Sequence, residues 1–280
     1  MSDAGLDALA QAAPGFERRA WLADGVAADL YLDADMDAAK AALAMALRGE
    51  PVDAIVQPRE GRRKRLLVAD MDSTLIGQEC VDELAEVAGV GARVAAITER
   101  AMRGEIAFEP ALRERVELLA GLPVEVIDAV LQDRITLNPG ARTLARTMQA
   151  FGGRVAIVSG GFRPFTRAIA ERIGADEDRA NTLGVSNGRL TGQVIDPVLG
   201  QDAKVEALRA IAAATGLSLV ETLAVGDGAN DLAMLREAGL GVAYRAKPKV
   251  AAAAAARVDH GDLTALLYAQ GIAQRDFVED

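Results

Sequence analysis

Asp70-Met71-Asp72-Ser73-Thr74 places two carboxylates two positions apart and follows them with two hydroxyls. In that spacing one carboxylate, with a neighbouring carbonyl, can hold a hard cation such as Mg²⁺, while the other side chain stays free for chemistry. Further on, Ser159-Gly160-Gly161 offers a hydroxyl and backbone N–H groups able to approach an anion closely. Asp227 and Asp231 bracket Gly228, with Asn230 between them; two carboxylates four apart across a glycine turn suit a divalent cation better than a solvated face. Lys204 lies at the start of a helical stretch, against the macrodipole, where it calls for an anionic partner. This inventory fits phosphoryl transfer through an aspartyl phosphate. A carboxylate beside a dianionic phosphate is repelled unless a cation and a lysine neutralise the charge. A second carboxylate is needed to protonate the leaving oxygen and then deprotonate the hydrolytic water. No other set competes: a single cysteine, Cys80, and a single histidine, His260, exclude an intrachain disulfide, a multi-cysteine zinc site and a two-histidine metal site.

Each of these groups must be carried by the end of a regular element. Lys64 to Ala69, Gly153 to Val158 and Glu221 to Val225 are short apolar runs that read as buried strands of a parallel sheet. Ligands of open α/β sheets bind where such strands end. Leu240–Tyr244 and Arg257-Val258 are further strand candidates, and Asn187-Gly188 marks the turn of a hairpin over 185–190. The predicted fold is α/β, a Rossmann-like parallel sheet flanked by helices. Between the first strand and the next lies a helical insertion at about 78–137. It contains helices over 81–88, 92–103, 111–120 and 124–133, the first three stopped by Gly89, Gly104 and Gly121. An insertion at the active end of a strand reads as a helical cap over the site, and within it Glu79, Phe108 and Arg115 stand out.

Composition limits the partners. A net charge of −10 and a pI of about 4.8 exclude a nucleic-acid binder held by phosphate contacts. The basic run Arg62-Arg63-Lys64-Arg65 reads as a solvated entry to the first sheet strand. The start lacks the basic and apolar regions of a signal peptide, and no apolar run reaches membrane-spanning length, so no membrane partner and a reducing cytoplasm are expected. Residues 1–60 read as a small α+β appendage to the 61–280 domain. Strands over 19–22 and 27–32, a helix over 37–47 and a strand over 52–56 would make a strand–helix–strand unit, too small for more than a partial ACT-like module. The tail Arg275-Asp276-Phe277-Val278-Glu279-Asp280 is expected to be an acidic, frayed end.

The motifs around Asp70-Met71-Asp72-Ser73-Thr74, Ser159-Gly160-Gly161, Lys204 and Gly226 to Asp231 resemble the four motifs of the haloacid dehalogenase-like phosphatases. More narrowly, 77–83, 98–104 and Phe108 with 112–116 look like the cap segments of phosphoserine phosphatases, and the likeness runs from about 64 to 270. The resemblance implies a Mg²⁺-dependent hydrolysis of O-phosphoserine that completes serine biosynthesis. By it, Asp70 is the nucleophile and Asp72 the general acid/base. Mg²⁺ is held by the Asp70 carboxylate, the Asp72 carbonyl and Asp227, with Asp231 in support. Ser159, the Gly160 N–H and Asn230 hold the phosphate, and Lys204 neutralises it. Chemistry adds the cap: a phosphoamino acid needs an anion for its ammonium and a cation for its carboxylate, and Glu79 and Arg115 fill those needs, with Phe108 as an apolar shield. The alternatives are another capped phosphatase or phosphomutase of the superfamily, or an aspartyl-phosphorylated signalling switch, against which Asp72 and the cap both argue.

Overall fold

A strand apolar on both faces must be covered on both, and the run Leu66–Ala69 is: all four side chains are completely buried. The structure, a computed structural model, describes residues 2–103 and 105–279. In chain order, an N-terminal unit comprises α1 (Asp3–Ala12), β1 (Phe16–Ala23), β2 (Ala27–Leu32) and α2 (Met36–Ala46). Then come β3 (Leu66–Ala69) and four helices, α3 (Cys80–Val87), α4 (Gly91–Met102), α5 (Phe108–Glu117) and α6 (Glu125–Asp133). The chain continues through α7 (Ala141–Ala150), β4 (Arg154–Phe162), α8 (Arg163–Ile173), β5 (Glu177–Ser186), β6 (Arg189–Ile195) and α9 (Gln201–Ala214). It finishes with β7 (Thr222–Gly226), α10 (Leu232–Glu237), β8 (Leu240–Tyr244), α11 (Pro248–Ala253), β9 (Ala256–Val258) and α12 (Ala265–Ala269).

Among the described residues, seven strands form one sheet in the order β6-β5-β4-β3-β7-β8-β9, parallel throughout except for the β5–β6 hairpin. From β3 the chain builds outward on one side through β4 and β5, then on the other through β7, β8 and β9. The order therefore reverses at β3, and the ends of β3, β4 and β7 face a common crevice. Alternate β3 side chains enter different cores. Leu67 and Ala69 pack with α7, α8 and the apolar faces of α3, α5 and α6, whereas Leu66 and Val68 pack with α9 and α10. The α/β architecture with its helical insertion is thus as expected.

Several expectations need correction. The N-terminal unit is not strand–helix–strand but an antiparallel hairpin between two helices. Residues 52–58 form no strand: Asp53 instead accepts the backbone N–H groups of Asp259 at 2.8 Å and of Gly261 at 2.8 Å, which pins the segment to the sheet domain without a ladder. The basic run is solvated only in part: Arg63 and Arg65 are exposed, as expected, but Arg62 and Lys64 are not. Arg62 donates both terminal nitrogens to Asp29 at 2.9 Å, Lys64 is buried and donates to the Val220 carbonyl at 2.7 Å, and Arg63 lies over the Phe151 ring at 4.6 Å. The tail is docked up to Val278, whose N–H donates to Thr147 Oγ1 at 2.9 Å, while Phe277 packs on Tyr268 with centroids 5.0 Å apart. Helix α5 starts at Phe108 rather than Ala111, because Pro110 falls in the first turn, where a missing N–H breaks no helical bond. Gly104, the expected stop of α4, lies outside the described residues.

Candidate active site

The first motif leaves β3 through a sharp turn. Asp70 ends the strand, with its N–H bonded to the Val225 carbonyl at 2.9 Å, and Asp72 remains extended. Ser73 is left-handed at φ 55°, a strained setting for a residue with a Cβ, and the turn closes when the Ile76 N–H reaches the Met71 carbonyl at 3.1 Å. The consequence is that Asp70, Asp72 and Ser73 point in different directions. Asp70 Oδ1 accepts the Met71 N–H at 2.7 Å, and its Oδ2 lies 2.7 Å from Lys204 Nζ. Asp72 Oδ1 accepts the Cys80 N–H at 3.3 Å, and Ser73 Oγ donates to Glu79 Oε1 at 2.7 Å.

Lys204 sits in the first turn of α9, fully buried, and also reaches Asp231 Oδ1 at 2.6 Å. Burial alone would lower its pKa, but Asp231 and Asp70 outweigh that and raise it, so the ammonium stays charged. Near it one carboxylate oxygen from each of Asp70, Asp227 and Asp231 lies within 4.8 Å of the other two. Burial, then repulsion from Asp70, pushes Asp227 up to about 6 and Asp231 up to about 8. Three neighbouring carboxylates with oxygen donors only are what a hard divalent cation would bridge, and this donor set fits one. Asp231 is already engaged by Lys204 and by the Gly228 N–H at 3.0 Å, as Asp70 is by Lys204 and the Met71 N–H, so Asp227 is the least committed of the three. Asp72 is raised well above the ordinary carboxyl range by burial, then by Glu79, with a smaller contribution from Asp70. It can therefore carry a proton.

The second motif continues as strand through both glycines to Phe162 rather than stopping at them. Ser159 Oγ accepts the Gly161 N–H at 2.9 Å, which leaves its own proton available to a ligand. Glycine is required at 161, because a Cβ there would sit 2.7 Å from Asp72 Oδ2 and 3.2 Å from Ser159 Oγ. At Gly160 a Cβ would meet Phe108 Cζ at 3.1 Å and Asn230 Nδ2 at 4.0 Å. Phe108 also faces Gly200. The start of α5 thus rests on the ends of β4 and α9, and the cap covers the crevice.

Asp70, Asp72, Ser159, Gly160, Lys204, Asp227, Asn230 and Asp231 therefore converge at the crevice from three strand ends and one helix, and Glu79 and Phe108 reach it from the cap. Arg115 makes its hydrogen-bond contacts within the cap. Its Nε is 3.3 Å from the Ala111 carbonyl and its Nη1 3.5 Å from Thr98 Oγ1. Two further residues were passed over in the sequence. Thr74 Oγ1 donates to Asp227 Oδ1 at 3.1 Å, a link hinted at by the hydroxyl pair after Asp72. Asn181, on β5, donates to the Gly160 carbonyl at 2.8 Å and accepts the Leu199 N–H at 2.6 Å; nothing in its local sequence signals this. No helix among the described residues is long and apolar enough to cross a membrane.

Residues 67–236 match the family model described as haloacid dehalogenase-like hydrolase. A phosphoserine phosphatase of Streptomyces coelicolor is 48% identical over 215 residues, 77% of this chain and 52% of that one. The phosphoserine phosphatase of Polaromonas sp. is 47% identical over 208 residues, covering 72% of this chain and 88% of its own. Among solved structures, the unliganded probable phosphoserine phosphatase of Vibrio cholerae superposes with a TM-score of 0.74 at 37% identity, over 90% of this chain and 78% of that one. The chain spans between half and two thirds of the length of the first curated relatives it matches. At 90% coverage the structural likeness extends into the N-terminal unit.

Proposed function

We infer the function from one premise: the chain belongs to the haloacid dehalogenase-like hydrolases. The proposed activity is hydrolysis of O-phosphoserine to serine and phosphate through an aspartyl phosphate, the closing step of serine biosynthesis. The observation that carries it is the fully buried Lys204 ammonium shared between Asp70 and Asp231. That contact holds Asp70 in place and sets a positive charge where a phosphoryl group would arrive. Asp70 attacks phosphorus; Asp72, whose burial favours the protonated form, gives its proton to the departing serine oxygen and later takes one from the attacking water. Ser159, the Gly160 N–H and Asn230 orient the phosphoryl oxygens. Asp70, the Asp72 carbonyl and Asp227 would hold Mg²⁺, with Asp231 in support, and the ion would supply further neutralisation of phosphate charge. Glu79 takes the substrate ammonium, Arg115 its carboxylate, and Phe108 keeps water out. For Arg115 this requires the side chain to leave its two long contacts and turn toward the crevice. A small-molecule substrate in a soluble compartment is the matching setting, and the cytoplasm is the proposed location.

The decisive measurement is the ratio of kcat/KM for phosphoserine to that for p-nitrophenyl phosphate, which has neither ammonium nor carboxylate. Arg115→Ala should lower phosphoserine turnover by roughly 30-fold or more, the lower end of the loss for stranding a charge in a dry site. The aryl ester should fall much less. A parallel decline of both esters would mean that Arg115 supports the cap generally, and the amino-acid reading would fail.

A further inference from the structure

Asp82 belongs to no role assigned above. It lies three residues past Glu79 on α3, so the two acids share a helix face. Its Oδ1 is buried and has no hydrogen-bond partner among the described residues. Such an oxygen is normally paired, so a donor that this arrangement withholds is called for. The charges that act on its carboxyl are Arg115 from α5, Glu83 and Glu86 from its own helix and Lys247 from the loop after β8, and Asp82 in turn repels Glu79. Of the two cations, Arg115 has the larger influence on its carboxyl and Lys247 the smaller. Arg115 also has donors to spare: five N–H bonds and, among the described residues, only the two long contacts already described.

We propose that Asp82 is a positioning residue for Arg115. When Arg115 turns to the substrate carboxylate, the Asp82 carboxylate takes N–H groups on the guanidinium edge that the substrate leaves free, and this aims the bidentate fork. The inference rests on the phosphoserine reading. Charge alone predicts the opposite outcome, since a nearby acid weakens the pull of Arg115 on a second carboxylate. Any gain from Asp82 must therefore come from orientation, and the sign of the effect separates the two.

The test is Asp82→Asn, with Asp82→Ser as a second variant, each in wild-type and Arg115→Ala backgrounds, assayed with phosphoserine and p-nitrophenyl phosphate. The expected result is a KM for phosphoserine raised about tenfold, the size of one lost charge-assisted hydrogen bond, with kcat nearly constant. Turnover of the aryl ester should be unchanged, and no further loss should appear in the Arg115→Ala background. A lower KM, a loss that adds fully to that of Arg115→Ala, or an equal fall with both esters in both variants overturns the proposal. If Arg115→Ala itself leaves the phosphoserine preference intact, the substrate reading fails and takes this inference with it. If Arg115→Ala removes the preference while the Asp82 variants keep it, only this inference fails.

Discussion

The sheet edge and the cap treat charge in opposite ways. At the sheet edge Lys204 and Asp231 are wholly excluded from solvent, and the contacts of Lys204 to Asp70 and Asp231 are 2.7 and 2.6 Å. These groups hang from strand ends tied into a ladder and from the first turn of a fourteen-residue helix. In the cap, Glu79 is exposed, Arg115 holds contacts of 3.3 and 3.5 Å, and an oxygen of Asp82 has no partner among the described residues. The first region is organised before any ligand arrives, as electrostatic stabilisation of a transition state demands. The second pairs its outer charges, Arg100 with Glu114 and Arg103 with Glu99 among them, but leaves Arg115 and Asp82 loosely held, so the pairing energy of these two is released only on binding. On the proposed function, one region would handle a phosphoryl group that many esters share, and the other would read what distinguishes one ester from another.

Substitutions at the sheet edge should therefore harm every ester, and the largest effect is expected from Asp70→Asn. The amide is nearly isosteric and Lys204 keeps Asp231, so the fold should survive while turnover of phosphoserine and of p-nitrophenyl phosphate is abolished. Residual activity within about tenfold of wild type, measured as phosphate release, would break the assignment of the nucleophile.

Asp72→Asn should rank next. Asparagine can still accept the Cys80 N–H that Asp72 Oδ1 now takes at 3.3 Å, so the turn should hold. Loss of the acid and base should slow turnover by roughly 10²–10⁴-fold. The aryl ester sharpens the point, because p-nitrophenolate leaves without much help from an acid. Stopped-flow absorbance should show a burst of nitrophenolate and then slow release limited by water attack. Unchanged steady-state rates would remove Asp72 from the chemistry.

The two regions were also unequally legible. The strands that carry the site, β3, β4 and β7, announce themselves as apolar runs leading to a carboxylate or hydroxyl, whereas β5 opens with Glu177-Asp178-Arg179 and gives no such signal. Asp70, Ser159 and Asp227 could be placed on that ground alone. The cap helices were visible from their periodicity, but which way Arg115 turns depends on Thr98 and Ala111, which local pattern does not report. What was missed elsewhere has two causes, a weak local signal and distant contacts. Helix α1 contains Gly5 and begins at a Ser2 N-cap whose hydroxyl accepts the Gly5 N–H, a signal easily lost in a short alanine-rich segment. The expected strand over 52–56 and the expected frayed tail are both decided by contacts more than a hundred residues away, Asp53 with 259–261 and Val278 with Thr147. Arg62 is of the same kind: in sequence it is one of four basic residues in a row, and only the fold supplies Asp29.

The smallest effect on turnover is expected outside both regions, at that Arg62. It donates to both oxygens of Asp29, and to the carbonyls of Ala269 at 3.1 Å and Tyr268 at 3.1 Å. The pair is nearly closed to water, with side-chain exposures of 19% and 15%, so screening weakens it little. It ties β2 of the N-terminal unit to α12 of the sheet domain. Arg62→Ala would leave Asp29 buried without its cation and two carbonyls short of a donor, a loss of about 2–4 kcal/mol. Arg62→Lys should recover only part, since a point charge cannot span both oxygens of Asp29 and the two carbonyls at once. Denaturant unfolding should show the loss as a lower midpoint. The kcat/KM for phosphoserine and for p-nitrophenyl phosphate should both stay within about twofold of wild type, because no atom of this cluster belongs to the crevice or the cap. A tenfold fall in either ester, with the protein still folded, would tie the N-terminal unit to catalysis, and the division between a fixed sheet edge and a partly uncommitted cap would then have to include a third part.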